Sequence, residues 1–206
     1  MKVTNYNDPF PHIIVDDLYN ENELSMIWEE LNFICRPNKM DLPSKSESAF
    51  DGDEILKKNK LIWVDQIYTN RKYSNILDLN RKTFTTISHD HWLFKNFNAS
   101  QDTTLISYYE NENYYKKHVD SAILTCLTWF YKEPKRFEGG DVIFSIENKE
   151  KIVKIKNNKC VIFPSMIHHA VINVKMGEKY TGNLNGRICM TQFLTYGERD
   201  NDGNII

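Results

Sequence analysis

The sequence predicts a mainly β fold, a sandwich or barrel, with helices gathered in the N-terminal half. Two observations carry that expectation. After Ser100 short β-rich runs follow one another: Thr103–Tyr109, Ile123–Tyr131, Asp141–Ile146, Lys151–Lys156, Cys160–Phe163, Ala170–Val174 and Arg187–Tyr196. Gly139-Gly140, Asn157-Asn158 and Asn185-Gly186 supply turn signals between them. The chain is also rich in flat side chains, with 11 Tyr, 11 Phe and 4 Trp. Such side chains pack well on a pleated surface.

The first clear element is a helix. Asn20 can cap it, and Glu23 stands where a capping box needs it. Leu24, Ile27, Trp28, Leu31 and Ile34 recur at helical spacing, which predicts one apolar face against a sheet. Arg36 to Asn59 is rich in Lys, Ser, Asp and Asn and contains Pro37, Pro43 and Gly52, so a long polar loop is expected. Leu61–Tyr68 reads as a strand. Arg71 to Ile87 carries Ile76, Leu77, Leu79, Phe84 and Ile87 at mostly helical spacing, for one helix or a pair of shorter ones. With 206 residues and no internal repeat, one domain over 1–206 is expected. Residues 1–100 would form its support, with a lid at 36–59, and residues 101–198 its core.

Net charge is −2, and no dense basic stripe occurs. The lysines from Lys149 to Lys159 alternate with Ile152, Val153 and Ile155, as on a solvated strand face. Nucleic acid is therefore not an expected partner. Cys35, Cys126, Cys160 and Cys189 lack zinc-motif spacing and read as buried free thiols of a reducing compartment. No apolar run is long enough to span a bilayer, and the N-terminus lacks an apolar signal core. A cytoplasmic protein without a membrane partner is the expectation. The sequence leaves the oligomeric state open.

Of the six histidines, His118 has the most suggestive neighbour. If the segment His118-Val119-Asp120 is extended, His118 and Asp120 point the same way, as two ligands of one metal require. A third ligand can come from the run Phe163-Pro164-Ser165-Met166-Ile167-His168-His169-Ala170-Val171. Two imidazoles and one carboxylate suit iron(II) better than zinc and leave positions open for reactants. His89-Asp90-His91 is a second candidate pair but lacks a third partner; it reads as surface, and His12 as incidental.

From about Thr103 to Tyr196 the chain resembles the 2-oxoglutarate/iron(II) dioxygenases, especially their prolyl 4-hydroxylase-like branch. The motifs that carry the resemblance are Tyr109 and Tyr115, nine and three residues before His118. Gly139-Gly140-Asp141 with the following apolar strand, and Phe163-Pro164-Ser165 ahead of the histidines, belong to it too. That register selects His169 over His168. The resemblance implies a double-stranded β-helix, or jelly roll, with helices packed on one face. It implies His118, Asp120 and His169 as metal ligands, with Fe(II), 2-oxoglutarate and O2 as cofactors and ascorbate as reductant.

Arg187 would grip the far carboxylate of 2-oxoglutarate, helped by Tyr109, Tyr115, or a hydroxyl of Thr125 or Thr128. A guanidinium suits that role because it pairs with a carboxylate through two parallel hydrogen bonds. The interval between His169 and Arg187 is longer than usual in the family, and Lys179 within it competes for the role. Because Asp120 is present, hydroxylation is favoured over halogenation. The implied activity is hydroxylation of a prolyl residue in a protein or peptide, coupled to conversion of 2-oxoglutarate to succinate and CO2. A free amino acid or other small molecule is the alternative substrate, and a non-catalytic jelly-roll binding module the alternative class.

Overall fold

The structure is a computed structural model, and it describes residues 1–36, 39–45, 50–95, 97, 99 and 101–196. In chain order the first elements are β1 (Lys2–Tyr6), β2 (His12–Asp16) and α1 (Glu21–Ile34). Then come β3 (Phe50–Asp51), β4 (Glu54–Ile55), β5 (Lys57–Lys58), β6 (Lys60–Trp63), α2 (Asn75–Leu79) and α3 (Trp92–Lys95). The second half holds β7 (Gln101–Tyr109), β8 (Tyr114–His118), β9 (Leu124–Phe130), β10 (Phe137–Glu138), β11 (Val142–Ile146) and β12 (Lys149–Val153). It ends with β13 (Lys159–Pro164), β14 (His168–Val171), β15 (Lys175–Met176) and β16 (Arg187–Thr195).

Two antiparallel sheets face each other. The larger runs β1-β2-β13-β9-β16-β7-β6 and the smaller β12-β11-β14-β8-β5. This is the jelly roll, mainly strands with few helices. Strand alternation divides the core in two. On the larger sheet Ile106, Leu124, Cys126, Phe130, Ile188 and Met190 face outward, against Ile27, Leu31 and Ile34 of α1. Tyr109, Leu127, Trp129, Phe163 and Cys189 face inward, against Val142, Phe144 and Val171 of the smaller sheet. The N-terminal helices thus cover one face, as expected.

The local signals explain the elements. Asn20 accepts from the Glu23 amide at 2.9 Å while Glu23 accepts from the Asn20 amide at 2.7 Å, so the capping box forms and starts α1. Buried Glu30 then accepts from the Ser74 hydroxyl and the Ile76 amide, tying α1 to the start of α2. All four cysteines are free and buried. No helix among the described residues is long and apolar enough to cross a membrane.

Several expectations need correction. The strand predicted over Leu61–Tyr68 ends at Trp63, because Val64–Gln66 coil into a 3-10 turn. The Arg71–Ile87 segment is a five-residue α2 between 3-10 turns. β1 and β2 were not foreseen. His12 is fully buried on β2 and stacks on Tyr6, and His89 is buried with its Nε2 2.9 Å from the Tyr6 carbonyl, so neither is a surface group.

The expected 36–59 loop lies partly outside the described residues, at 37–38 and 46–49. Its far end is ordered as the β3–β4 hairpin and as β5. The chain then crosses between the sheets: β5 pairs with β8 of the smaller, and β6 with β7 of the larger. The buried Asn59 stands at this crossing.

Burial holds the His12 imidazole down at about 4 from 6.5, with the Lys151 and His89 charges adding to the effect. Between those two values the unfolded chain takes up a proton that the native one refuses, so native stability is full above about 6.5 and is lost as the pH falls towards 4. Urea melts are expected to show this as a slope of up to about 1.4 kcal/mol per pH unit. In His12→Gln the slope should be shallower, and an unchanged slope would remove His12 as its source.

Candidate metal centre and co-substrate pocket

His118, Asp120 and His169, from two distant segments of the sequence, meet at the mouth of the inner core. One ligand atom from each of His118, Asp120 and His169 lies within 4.8 Å of the others. Nε2 of His118 is 3.7 Å from one Asp120 oxygen, and Nε2 of His169 is 3.4 Å from the other. Ligands side by side on a first-row cation, each bonded at about 2.1 Å, stand roughly 3 Å apart. The spacing is therefore close to that of a preformed metal face.

Pairing of strands produces this convergence. His118 closes β8 and stands opposite His169 on β14. Asp120 lies just past the strand, with its amide donating to the Ser165 carbonyl at 3.0 Å. Both imidazoles are fixed in the same way. Nδ1 of His118 faces the Lys116 carbonyl at 2.8 Å, and Nδ1 of His169 faces the Ile167 carbonyl at 2.9 Å. A carbonyl demands N–H there, which leaves each Nε2 with its lone pair aimed at Asp120. Burial and the neighbouring His169 push the His118 imidazole down to about 2, so it is neutral and ready to ligate.

Thr125 donates to the second Asp120 oxygen at 2.8 Å and is itself within 2.8 Å of the Ser165 hydroxyl. Tyr115 stacks on His118, with centroids 3.4 Å apart and planes at 13°. His168 is exposed on the opposite face of β14, whereas His169 is buried beside His118 and Asp120.

A cavity runs inward from the triad, and Tyr109, Tyr115 and Arg187 line it. Arg187 opens β16 and is 1% exposed. Its Nε donates to the Gly140 carbonyl at 2.8 Å, and its guanidinium lies 4.7 Å above the Tyr109 ring. Both terminal nitrogens are buried without a protein partner. Leaving such donors unmet is costly, so they ask for an acceptor. A carboxylate arriving from the cavity meets that demand bidentately. Gly140 makes room for the arrangement: a Cβ there, at φ +75, would sit 2.7 Å from Arg187 Cδ. Burial raises the Tyr109 hydroxyl above its usual pKa, against the pull of Arg187, so it remains a neutral donor.

Two expectations fail here. Thr128 lies on the outward face of β9, in the same parity as Cys126 and Phe130, and does not line the cavity; Thr125 has the inward parity. Lys179 is exposed in a 3-10 turn, its ammonium over Tyr180, so it does not compete with Arg187.

One charged cavity residue was missed. Lys57 is 2% exposed and lines the same cavity. Burial brings its ammonium down to about 8, with Asp120 opposing the shift. The only sequence signal was the alternation of Lys57, Asn59 and Leu61, which runs the following strand back into the supposed loop.

The fold and the site together define a jelly-roll protein with a two-histidine, one-carboxylate centre. Residues 104–194 match the family model of the 2OG-Fe(II) oxygenase superfamily. A PKHD-type hydroxylase of Prochlorococcus marinus is 25% identical over 100 residues, covering 46% of this chain and 42% of that protein. One from a Synechococcus species is 31% identical over 103 residues, covering 43% and 47%. The chain thus matches less than half the length of these curated relatives.

Solved structures share the fold. A prolyl-4-hydroxylase of Pseudomonas putida superposes with TM-score 0.59 at 12% identity, covering 91% of this chain and 93% of that one. A Trichoplax adhaerens prolyl hydroxylase, solved with a hypoxia inducible factor peptide fragment, gives 0.63 at 14%, covering 89% and 83%.

Metal titration checks the centre. His169→Ala is expected to abolish Mn(II) binding measured by calorimetry, and His168→Ala to leave it unchanged. Thr125→Val, which removes the hydroxyl that orients Asp120, should weaken it by about 10–100-fold.

Proposed function

We propose that the chain is a 2-oxoglutarate- and Fe(II)-dependent hydroxylase, with His118, Asp120 and His169 as metal ligands and Arg187 as the anchor of 2-oxoglutarate. The observation that carries this reading is Arg187: two buried guanidinium donors without a protein acceptor face a cavity that has the triad at its other side. A dicarboxylate that also chelates the metal satisfies both ends at once. A binding module without turnover has no need of that pairing.

When bound, iron and 2-oxoglutarate supply the oxidising chemistry, with conversion of the co-substrate to succinate and CO2 and with ascorbate as the supporting reductant. The protein's own residues position and seal. The Lys116 and Ile167 carbonyls hold the imidazoles, Thr125 holds the carboxylate, and Tyr109 backs the Arg187 guanidinium. Phe144 and Phe163 pack around the His169 ring and keep water from that side.

A prolyl residue of a protein or peptide is the substrate this reading favours. The names of the solved neighbours, one of them bound to a peptide, support it. A free amino acid or another small molecule is the second reading, since the residues that choose a substrate are the least transferable between members of one fold.

Incubation with Fe(II), ascorbate and 2-oxoglutarate is expected to release succinate, and candidate peptides or amino acids to gain the mass of one oxygen. Asp120→Ala should abolish both, and Arg187→Gln should raise the 2-oxoglutarate KM by at least about tenfold, the worth of a charge-assisted pair. Succinate release that survives Asp120→Ala would remove the reading.

A further inference from the structure

The free cysteines are all buried, but their surroundings differ. Cys35, Cys126 and Cys160 belong to the outer core that α1 covers. Cys189 points the other way, into the inner core, and lines the cavity shared by the triad and Arg187. Among the described residues no other cysteine lines that cavity.

Strand register gives Cys189 its place along the cavity. Arg187, Cys189, Thr191 and Phe193 alternate inward along β16, and all of them line it. Phe193 is opposite Thr125 of β9, whose hydroxyl holds Asp120, so the triad lies beyond Thr191. Cys189 therefore stands between Arg187 and the triad, about 7 Å along the strand from Arg187. Two buried nitrogens of Arg187 have no protein partner, and a carboxylate is the group that meets both. A short acid held there and lying along the cavity passes the Cys189 side chain.

We propose that Cys189 is a modification site for small carboxylic acids that carry an electrophilic carbon beside the carboxylate: Arg187 takes the carboxylate and the Cys189 sulfur takes the carbon. With an α,β-unsaturated acid an S–C bond forms, the C=C π bond opens, and the thiol proton ends on the neighbouring carbon through solvent. With an α-halo acid an S–C bond forms, the carbon–halogen bond breaks, halide leaves, and the thiol proton passes to water. Neither step needs an oxidant, a metal or a co-substrate. The adduct lies over the inner face of β16, with its carboxylate on Arg187, and closes the cavity.

Burial makes the site selective. It raises the thiol's pKa, and the Arg187 charge opposes the rise. A buried neutral thiol is a poor nucleophile towards a reagent that reaches it by chance. A reagent anchored by its carboxylate reacts instead at high effective concentration. The acid should therefore outrun its neutral amide. For a free thiol the order is the reverse, because thiolate and carboxylate repel.

Iodoacetate and iodoacetamide are the probes. The full chain is treated with each at the same concentration and pH, with a free cysteine peptide in the same tube as reference. Adducts at each cysteine are followed by peptide mass spectrometry. Relative to that reference, Cys189 should take iodoacetate about tenfold or more faster than iodoacetamide, the worth of one charge-assisted hydrogen bond. It should also react ahead of Cys35, Cys126 and Cys160. Glutarate, an acid without an electrophilic carbon, should slow the reaction in the native protein. Arg187→Gln should erase the acid's advantage, and Arg187→Lys should keep part of it.

Absence of a Cys189 adduct with iodoacetate overturns the assignment. So does equal labelling by acid and amide, labelling that glutarate leaves unchanged, or an acid preference that survives Arg187→Gln. Succinate release tests the oxygenase reading separately, so the two can fail independently.

Discussion

A guanidinium is expensive to bury with its donors unmet, and the closed jelly roll buries Arg187 with two of its nitrogens unbonded. The surrounding structure accepts that cost and holds the group still. β16 fixes its backbone between β7 and β9. The Gly140 carbonyl takes Nε, and the Tyr109 ring supports the flat face. Gly186, just before it, must be glycine because a Cβ would strike the Tyr109 carbonyl at 2.1 Å. Such preparation orients a charge before its partner arrives, so little reorganisation accompanies binding.

The same two-sheet geometry builds the metal end from short-range rules. Each imidazole bonds the carbonyl two residues before it, so His118 and His169 carry their own orientation with them. Antiparallel pairing of β8 with β14 then needs only the correct register to bring the two Nε2 atoms to one point. Asp120 is placed by the Ser165 carbonyl and the Thr125 hydroxyl, which sit at the junction of β9 and β13. Arg187 and the triad thus rest on both sheets, and the distance between them follows from the separation of the sheets.

Most of this was legible because its signals are local. The capping box at Asn20, the short β-rich runs that became β9 and β16, and the motif register that prefers His169 to His168 each depend on residues a few places apart. Thr128 misled because parity on a fully buried strand cannot be told from composition: every residue of β9 is buried, so inward and outward positions look alike. The strand expected through Tyr68 failed for a related reason. An apolar run such as that from Leu61 suits a strand or a turn of helix equally well, and packing against β7 decides where it bends.

Lys57 was illegible for a deeper reason. Its sequence surroundings are polar, and the two residues of β5 are too short a run to show a period without the strand that follows. What buries it is the crossing of the chain from β8 of one sheet to β7 of the other, a long-range pairing that closes the edge of the jelly roll. The N-terminal half therefore does more than cover the outer face with α1. It supplies the last strand of each sheet and, at the seam between them, a second buried cation beside Arg187 of β16. The His118, Asp120 and His169 cluster and Arg187 belong to strands, or to their ends, whose register the fold enforces, whereas the seam is made by a short segment whose side chains can change without disturbing that register.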